Sequence, residues 1–158
     1  MIIYGRTLAE DVTLSDRLAN TVSAGGIMRQ ILIIDDDDFL VALLETIFTS
    51  LGYEVSTAYD GEEGMELFNG THKYDMIVTD ITMPRMDGNE VARHIRSSDK
   101  SSVPIIAMSG YDNKADNKLF NFSIKKPFYI QGLKDMIKSI ERGQKAAQGS
   151  QADWRCHA

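Results

Sequence analysis

Acidic side chains close two apolar runs of this chain, and a lysine follows a third. Ile31-Leu32-Ile33-Ile34 leads directly into Asp35-Asp36-Asp37-Asp38, Met76-Ile77-Val78-Thr79 into a lone Asp80, and the short stretch 122–125 into Lys126-Pro127-Phe128. Carboxylates brought to one place repel, by roughly 4 kcal/mol for two unit charges about 4 Å apart at an effective dielectric near 20. A hard divalent cation offsets that repulsion. Magnesium suits such a set, because it takes few protein carboxylates, keeps its waters and accepts a phosphate oxygen. A carboxylate can also attack a phosphoryl group and form an acyl phosphate, with a metal and a lysine neutralising the phosphoryl oxygens. Lys126 is the candidate lysine, and Ser109, which follows the apolar run 103–108, is a candidate hydroxyl donor to the phosphoryl group.

Each residue also has an ordinary role. Asp37 and Asp38 suit the start of a helix at Phe39 as well as they suit a site. Asp80 suits a turn before Pro84, Ser109-Gly110 a turn, and a lone lysine a solvated surface. The chemistry is carried by their joint placement at successive strand ends.

The elements that must deliver them follow from periodicity. Residues 31–34, 76–79 and 103–108 are continuously apolar, as buried central strands are, while 53–58 and 122–125 alternate, as edge strands do. Between them, Phe39, Leu43, Leu44, Ile47, Phe48 and Leu51 give a helical face closed by Gly52. Asp60 and Glu63 have capping-box spacing before a short helix through Phe68 that Gly64 weakens, and Asp87 and Glu90 have the same spacing before a helix with Val91, Ala92 and Ile95 inward. Pro127 suits the first turn of a last helix with Ile130, Leu133, Ile137 and Ile140 on one face. Five strands alternating with helices predict an α/β fold, a doubly wound five-stranded parallel sheet of order 2-1-3-4-5. Its ligand crevice lies at the carboxyl ends of the strands at 31 and 76, where Asp35, Asp36 and Asp80 fall.

At 158 residues the chain is the size of one domain, and 43% apolar residues suffice for a core. A formal net charge of −6 speaks against binding a nucleic-acid backbone. The lone Cys156 offers neither a disulfide framework nor a cysteine metal site. No apolar run approaches the ~20 residues of a membrane span, and the first residues lack the basic-then-apolar pattern of a secretory signal, so a cytoplasmic location is the default expectation. Residues 1–27 read as an N-terminal extension with a weak helical stripe, joined through Ala24-Gly25-Gly26 to a domain over 28–142. Residues 143–158 read as a polar, disordered tail.

Residues 29 to about 142 resemble the receiver domain of two-component response regulators, the CheY-like family, for which the 2-1-3-4-5 order is a standard illustration. The matching stretches are ILIIDDDD, YDMIVTDITMPRMDG, VPIIAMSG and IKKPF. The resemblance implies that Asp80 is the phospho-acceptor and that Asp35 and Asp36 form an acidic pair, with Asp36 a direct ligand of magnesium (or manganese) and Asp35 an indirect one. It implies that Asp80 and the backbone carbonyl of Thr82 complete the protein ligands, that Ser109 is the switch hydroxyl, and that Lys126 binds phosphate. It further implies a cis bond between Lys126 and Pro127.

The sequence also departs from that family. Only 16 residues, 110–125, separate Ser109 from Lys126. An ordinary helix, a strand and two connections need roughly 20 or more. The run 112–118 is also a poor helix former, so the fourth helix is expected to be short or irregular. The position of the family's switch aromatic, three before the lysine, is Ser123, and strand alternation turns the neighbouring Phe122 to the other face.

Three functions compete. The first is a single-domain, non-enzymatic phospho-acceptor switch. Its donor is a phosphohistidine on a histidine kinase or histidine phosphotransfer protein. It signals by protein contacts, with neither nucleic acid nor membrane as a partner, since the residues after the last helix are too few for a DNA-binding domain; Thr82 and Tyr111 are placed to tune the acyl-phosphate lifetime. The second is a degenerate receiver acting as a phosphorylation-independent binding module. The third is a small aspartate-nucleophile phosphatase, suggested by the Asp35-x-Asp37 spacing but lacking the Gly-Thr that should follow.

Overall fold

The computed structural model describes residues 29–110 and 115–141. The readings made above for residues 1–27, for Tyr111 and for the tail beyond 142 lie outside them.

Five strands form one parallel sheet: β1 (Arg29–Ile34), β2 (Tyr53–Ala58), β3 (Met76–Asp80), β4 (Ile105–Ser109) and β5 (Phe122–Lys125), in the order β2-β1-β3-β4-β5. Four helices cover it: α1 (Asp38–Ser50), α2 (Gly61–Asn69), α3 (Gly88–Arg96) and α4 (Ile130–Glu141). The architecture is the one predicted. The central strands are the apolar ones because both their faces are covered. Ile31, Ile33, Val78, Ile106 and Met108 pack with Leu44, Phe48, Leu133 and Ile137 on one side. Leu32, Ile34, Ile77 and Ile105 pack with Phe68, Val91 and Ile95 on the other.

The helix starts are where the acids were. Asp37 caps α1, its carboxylate accepting from the amides of Phe39 and Leu40 at 3.0 and 3.2 Å. Asp87 and Glu90 make a full capping box on α3. Asp60 caps α2 by accepting from the Glu63 amide, but the Glu63 carboxylate reaches the amide of Tyr59 instead of completing the box. Gly52, with φ of 88°, closes α1 in a conformation that a side chain would disfavour.

The inward face of α1 differs from the expectation. Phe39 is 90% and Leu43 41% exposed, while Val41 and Leu44 are buried and Leu40 packs against the core. Because apolar residues occupy most of this helix, the i, i+4 series through Phe39 is as regular as the one that is buried.

The connection between β4 and β5 contains no helix among its described residues. Instead the segment 115–121 is strapped along α3. The Asp116 amide donates to Asn89 Oδ1 at 2.8 Å, in the first turn of α3. In its last turn, Arg96 donates to the carbonyls of Leu119, Ser101 and Val103 at 2.9, 2.6 and 2.8 Å and to Asn121 Oδ1 at 2.7 Å. Leu119 and Phe120 fill the space against the α3 side of the core. No carboxylate among the described residues pairs with Arg96, and burial lowers its pKa from the ordinary arginine value. Replacing Arg96 with methionine keeps much of the stem but removes the donor from two part-buried carbonyls, of Leu119 and Val103. We expect a loss of about 2–3 kcal/mol in urea unfolding; unchanged stability would show that the guanidinium does not hold the strap.

Candidate phosphoryl and metal site

The parallel register brings the strand ends to one edge. Ile34 lies opposite Thr79, Asp80 opposite Met108, and Ser109 opposite Lys125, so the residues that follow β1 and β5 meet the ends of β3 and β4. Asp35 extends the ladder, its amide donating to the Ala58 carbonyl at 3.1 Å, and Lys126 does likewise to the Ser109 carbonyl at 2.7 Å.

The predicted site residues converge. The Lys126 ammonium lies 2.7 Å from Asp35 Oδ2 and 2.6 Å from Asp80 Oδ1. The second oxygen of each carboxylate is held by a nearby amide: Asp37 N donates to Asp35 Oδ1 at 3.0 Å and Thr82 N to Asp80 Oδ2 at 2.9 Å. Carboxylate oxygens of Asp35, Asp36 and Asp80 lie within 4.8 Å of one another, Asp36 being exposed and the other two buried. Burial raises the Asp35 pKa above the ordinary carboxylate value, more than its bonds to Lys126 and Asp37 lower it. Burial pulls the Lys126 ammonium down, but its hydrogen bonds to Asp35 and Asp80 outweigh this and the net shift is upward, so it stays charged. One ammonium thus pairs with two of the three carboxylates. The oxygen-only donor set and the excess negative charge fit a hard divalent cation.

Ser109 is 1% exposed, and its Oγ has no hydrogen-bond partner among the described residues. An orphaned buried hydroxyl costs about 1–3 kcal/mol. It stands at the end of β4, the strand paired with β3, one residue beyond the partner of Asp80. The Lys126–Pro127 bond is cis, as the resemblance implied. Asp37, by contrast, gives its carboxylate to the α1 cap, which removes the second acid of the Asp35-x-Asp37 pair from the cluster.

Two contacts were not anticipated. Gly88, at the start of α3, lies against the backbone of Asp80: a Cβ there would sit 2.1 Å from the Asp80 carbonyl oxygen and 2.9 Å from Ile81 Cα. Arg85 has a φ of 67°, in the left-handed region that costs a non-glycine residue roughly 1–2 kcal/mol. Its guanidinium bonds the carboxylate of Asp60, with Glu62 3.8 Å away. The sequence marked Asp60 only as a helix cap and gave no sign of its partner.

Comparison with known proteins agrees with this geometry. The family description that matches is the response regulator receiver domain, over residues 31–138. A curated relative, named probable transcriptional regulator ycf27, from Cyanidium caldarium, is 37% identical over 72% of this chain and 47% of its own length. The chain spans about half the length of the curated relatives it matches. Among solved structures, the chemotaxis response regulator CheY4 of Vibrio cholerae is 25% identical with a TM-score of 0.66, covering 72% of this chain and 99% of that one. The receiver domain of the sensor histidine kinase PA1611 from Pseudomonas aeruginosa, solved with a magnesium ion coordinated in its active-site cleft, is 27% identical with a TM-score of 0.63, covering 71% and 96%. The chain belongs to the receiver-domain family of two-component response regulators.

Proposed function

We propose that this domain is a phospho-accepting switch, not an enzyme with a separate substrate, and that Asp80 is its acceptor. An oxygen of the Asp80 carboxylate attacks the phosphorus of a phosphohistidine on a histidine kinase or phosphotransfer protein. A P–O bond forms as the N–P bond breaks, and the electron pair of that bond returns to the donor imidazole. Asp36 and Asp80, with the Thr82 carbonyl and with Asp35 indirectly, would hold magnesium or manganese, which would supply charge neutralisation at the carboxylates and the phosphoryl oxygens. The magnesium in the PA1611 receiver, a relative by fold and sequence, supports this assignment. Lys126, already between Asp35 and Asp80, pairs with a phosphoryl oxygen, and the Ser109 hydroxyl donates to another. Hydrolysis of the acyl phosphate resets the switch. Added charge at Asp80 shifts a surface that a protein partner reads.

The observation that carries this reading is the Lys126 ammonium on Asp80, in one cluster with Asp35 and Asp36, at the strand edge where the buried Ser109 hydroxyl has no partner among the described residues. Intact mass after incubation with acetyl phosphate tests it. One phosphoryl adduct is expected on the wild type with magnesium, and none without the metal or on Asp80→Ala. An adduct of equal yield on Asp80→Ala would refute the assignment.

A binding module that needs no phosphorylation is favoured by one feature, Ser123 at the switch-aromatic position beside a strap where a helix would lie. Its mark is a partner affinity unchanged by phosphorylation. Nucleic acid is not proposed as a contact of this domain, although a relative carries the name of a transcriptional regulator. No helix among the described residues is long and apolar enough to cross a membrane.

A further inference from the structure

The turn that carries Asp80 and Thr82 is fastened on its inner side by backbone bonds, Thr82 N to Asp80 Oδ2 at 2.9 Å and Gly88 N to the Ile81 carbonyl at 3.0 Å. Its outer side is fastened by Arg85. The residue adopts a left-handed backbone that glycine or asparagine would take without strain, and so places its guanidinium on Asp60, with Glu62 behind it. Asp60 is a firm anchor. It is 7% exposed, and its Oδ1 is engaged by the Glu63 amide at 2.9 Å, which leaves Oδ2 for Arg85.

The two loops so joined flank the acid cluster. In the order β2-β1-β3, the end of β2 meets Asp35, whose amide donates to the Ala58 carbonyl, and the end of β3 carries Asp80 with Thr82 in the loop after it. The end of β1, with Asp35 and Asp36, lies between them. Arg85–Asp60 therefore spans from one flank to the other. Beneath the span the loops already touch, since a Cβ on Gly61 would lie 2.5 Å from the Met86 carbonyl oxygen.

We infer that Arg85 is a positioning residue for the divalent cation: its ion pair with Asp60 sets the separation between the acid pair and the Asp80–Thr82 turn, and thereby the cation affinity. This rests on the reading of the cluster as a cation site. An arginine 60% exposed in its side chain could equally be an ordinary surface pair, of little weight. The left-handed backbone separates the two roles. Arg85→Gly removes the ion pair and also relieves the strain, so a merely structural pair predicts a melting temperature that holds or rises and an unchanged magnesium affinity. A positioning pair predicts the same melting behaviour together with a magnesium Kd raised about fivefold or more. Asp60→Asn, which keeps the cap and removes the charge, is expected to do the same, and Arg85→Lys to stay within about twofold of wild type.

Calorimetric titration of the full chain with magnesium chloride, without a phosphodonor, reads this directly. A raised Kd in Arg85→Gly and Asp60→Asn, recovered in Arg85→Lys, supports the inference. A Kd within twofold of wild type in both variants overturns it while leaving the cation site standing. Absence of magnesium binding in the wild type overturns both.

Discussion

Replacing Lys126 with methionine is expected to reduce phosphoryl transfer to Asp80 by about 100-fold, the scale on which one preorganised charged donor acts at a developing phosphoryl charge. The same change acts on stability through a separate route. Asp35 is completely buried, and Lys126 is the cation that pairs with it among the described residues. Removing one partner of a buried pair leaves an uncompensated charge and costs several kcal/mol when both are buried. The Lys126 side chain is 26% exposed, so a smaller loss, about 2 kcal/mol, is expected in urea unfolding without metal. Magnesium adds positive charge to the same cluster and should restore most of that loss in Lys126→Met, while stabilising the wild type less. Equal stabilisation of both proteins by magnesium would mean that the lysine and the cation do not share the Asp35–Asp80 charge.

Gly88→Ala is expected to be the most disruptive single methyl in the domain, at about 3 kcal/mol or more. The added Cβ meets two backbone groups, the Asp80 carbonyl and Ile81 Cα, not the end of a flexible side chain. Neither side can yield easily. The strand end is locked by the Ile81 amide on the Met108 carbonyl at 2.9 Å, and α3 is locked by the Asp87–Glu90 capping box. Any yielding on the strand side displaces Asp80, so phosphorylation is expected to fall along with stability. Gly132→Ala in α4 is the control. Its Cβ meets nothing within 4 Å, and a glycine-to-alanine change inside a helix should stabilise by about 0.5–1 kcal/mol. Comparable melting temperatures for the two variants would contradict the close approach of α3 to Asp80.

The site was legible in the sequence for a topological reason. Parallel strands deliver all their carboxyl ends to one edge, so Asp35, Asp80, Ser109 and Lys126 needed no contact information to be placed together. What was hidden required a partner far along the chain. Arg96 reads as an ordinary polar residue of an amphipathic helix until Leu119 and Asn121, more than twenty residues on, supply its acceptors. Asn89 and Asp116 are the same case. The shortness of the stretch 110–125 showed that a full helix would not fit, but not that side chains of α3 would take over its packing. On α1 the difficulty was the reverse. Too many apolar residues left the burial arc undetermined, and Phe39 and Leu43 proved to face solvent. Arg85 was invisible because nothing in the letters MPRMDG marks a left-handed arginine.

The central claim is that Asp80 accepts the phosphoryl group. The most direct measurement is reductive trapping: the protein is phosphorylated with acetyl phosphate and magnesium, treated with borohydride, digested and sequenced by tandem mass spectrometry. An acyl phosphate on a side-chain carboxylate is reduced to the alcohol, so the account predicts homoserine at position 80 and unmodified aspartate at 35, 36 and 37. Homoserine at one of those three positions, with residue 80 intact, would contradict it.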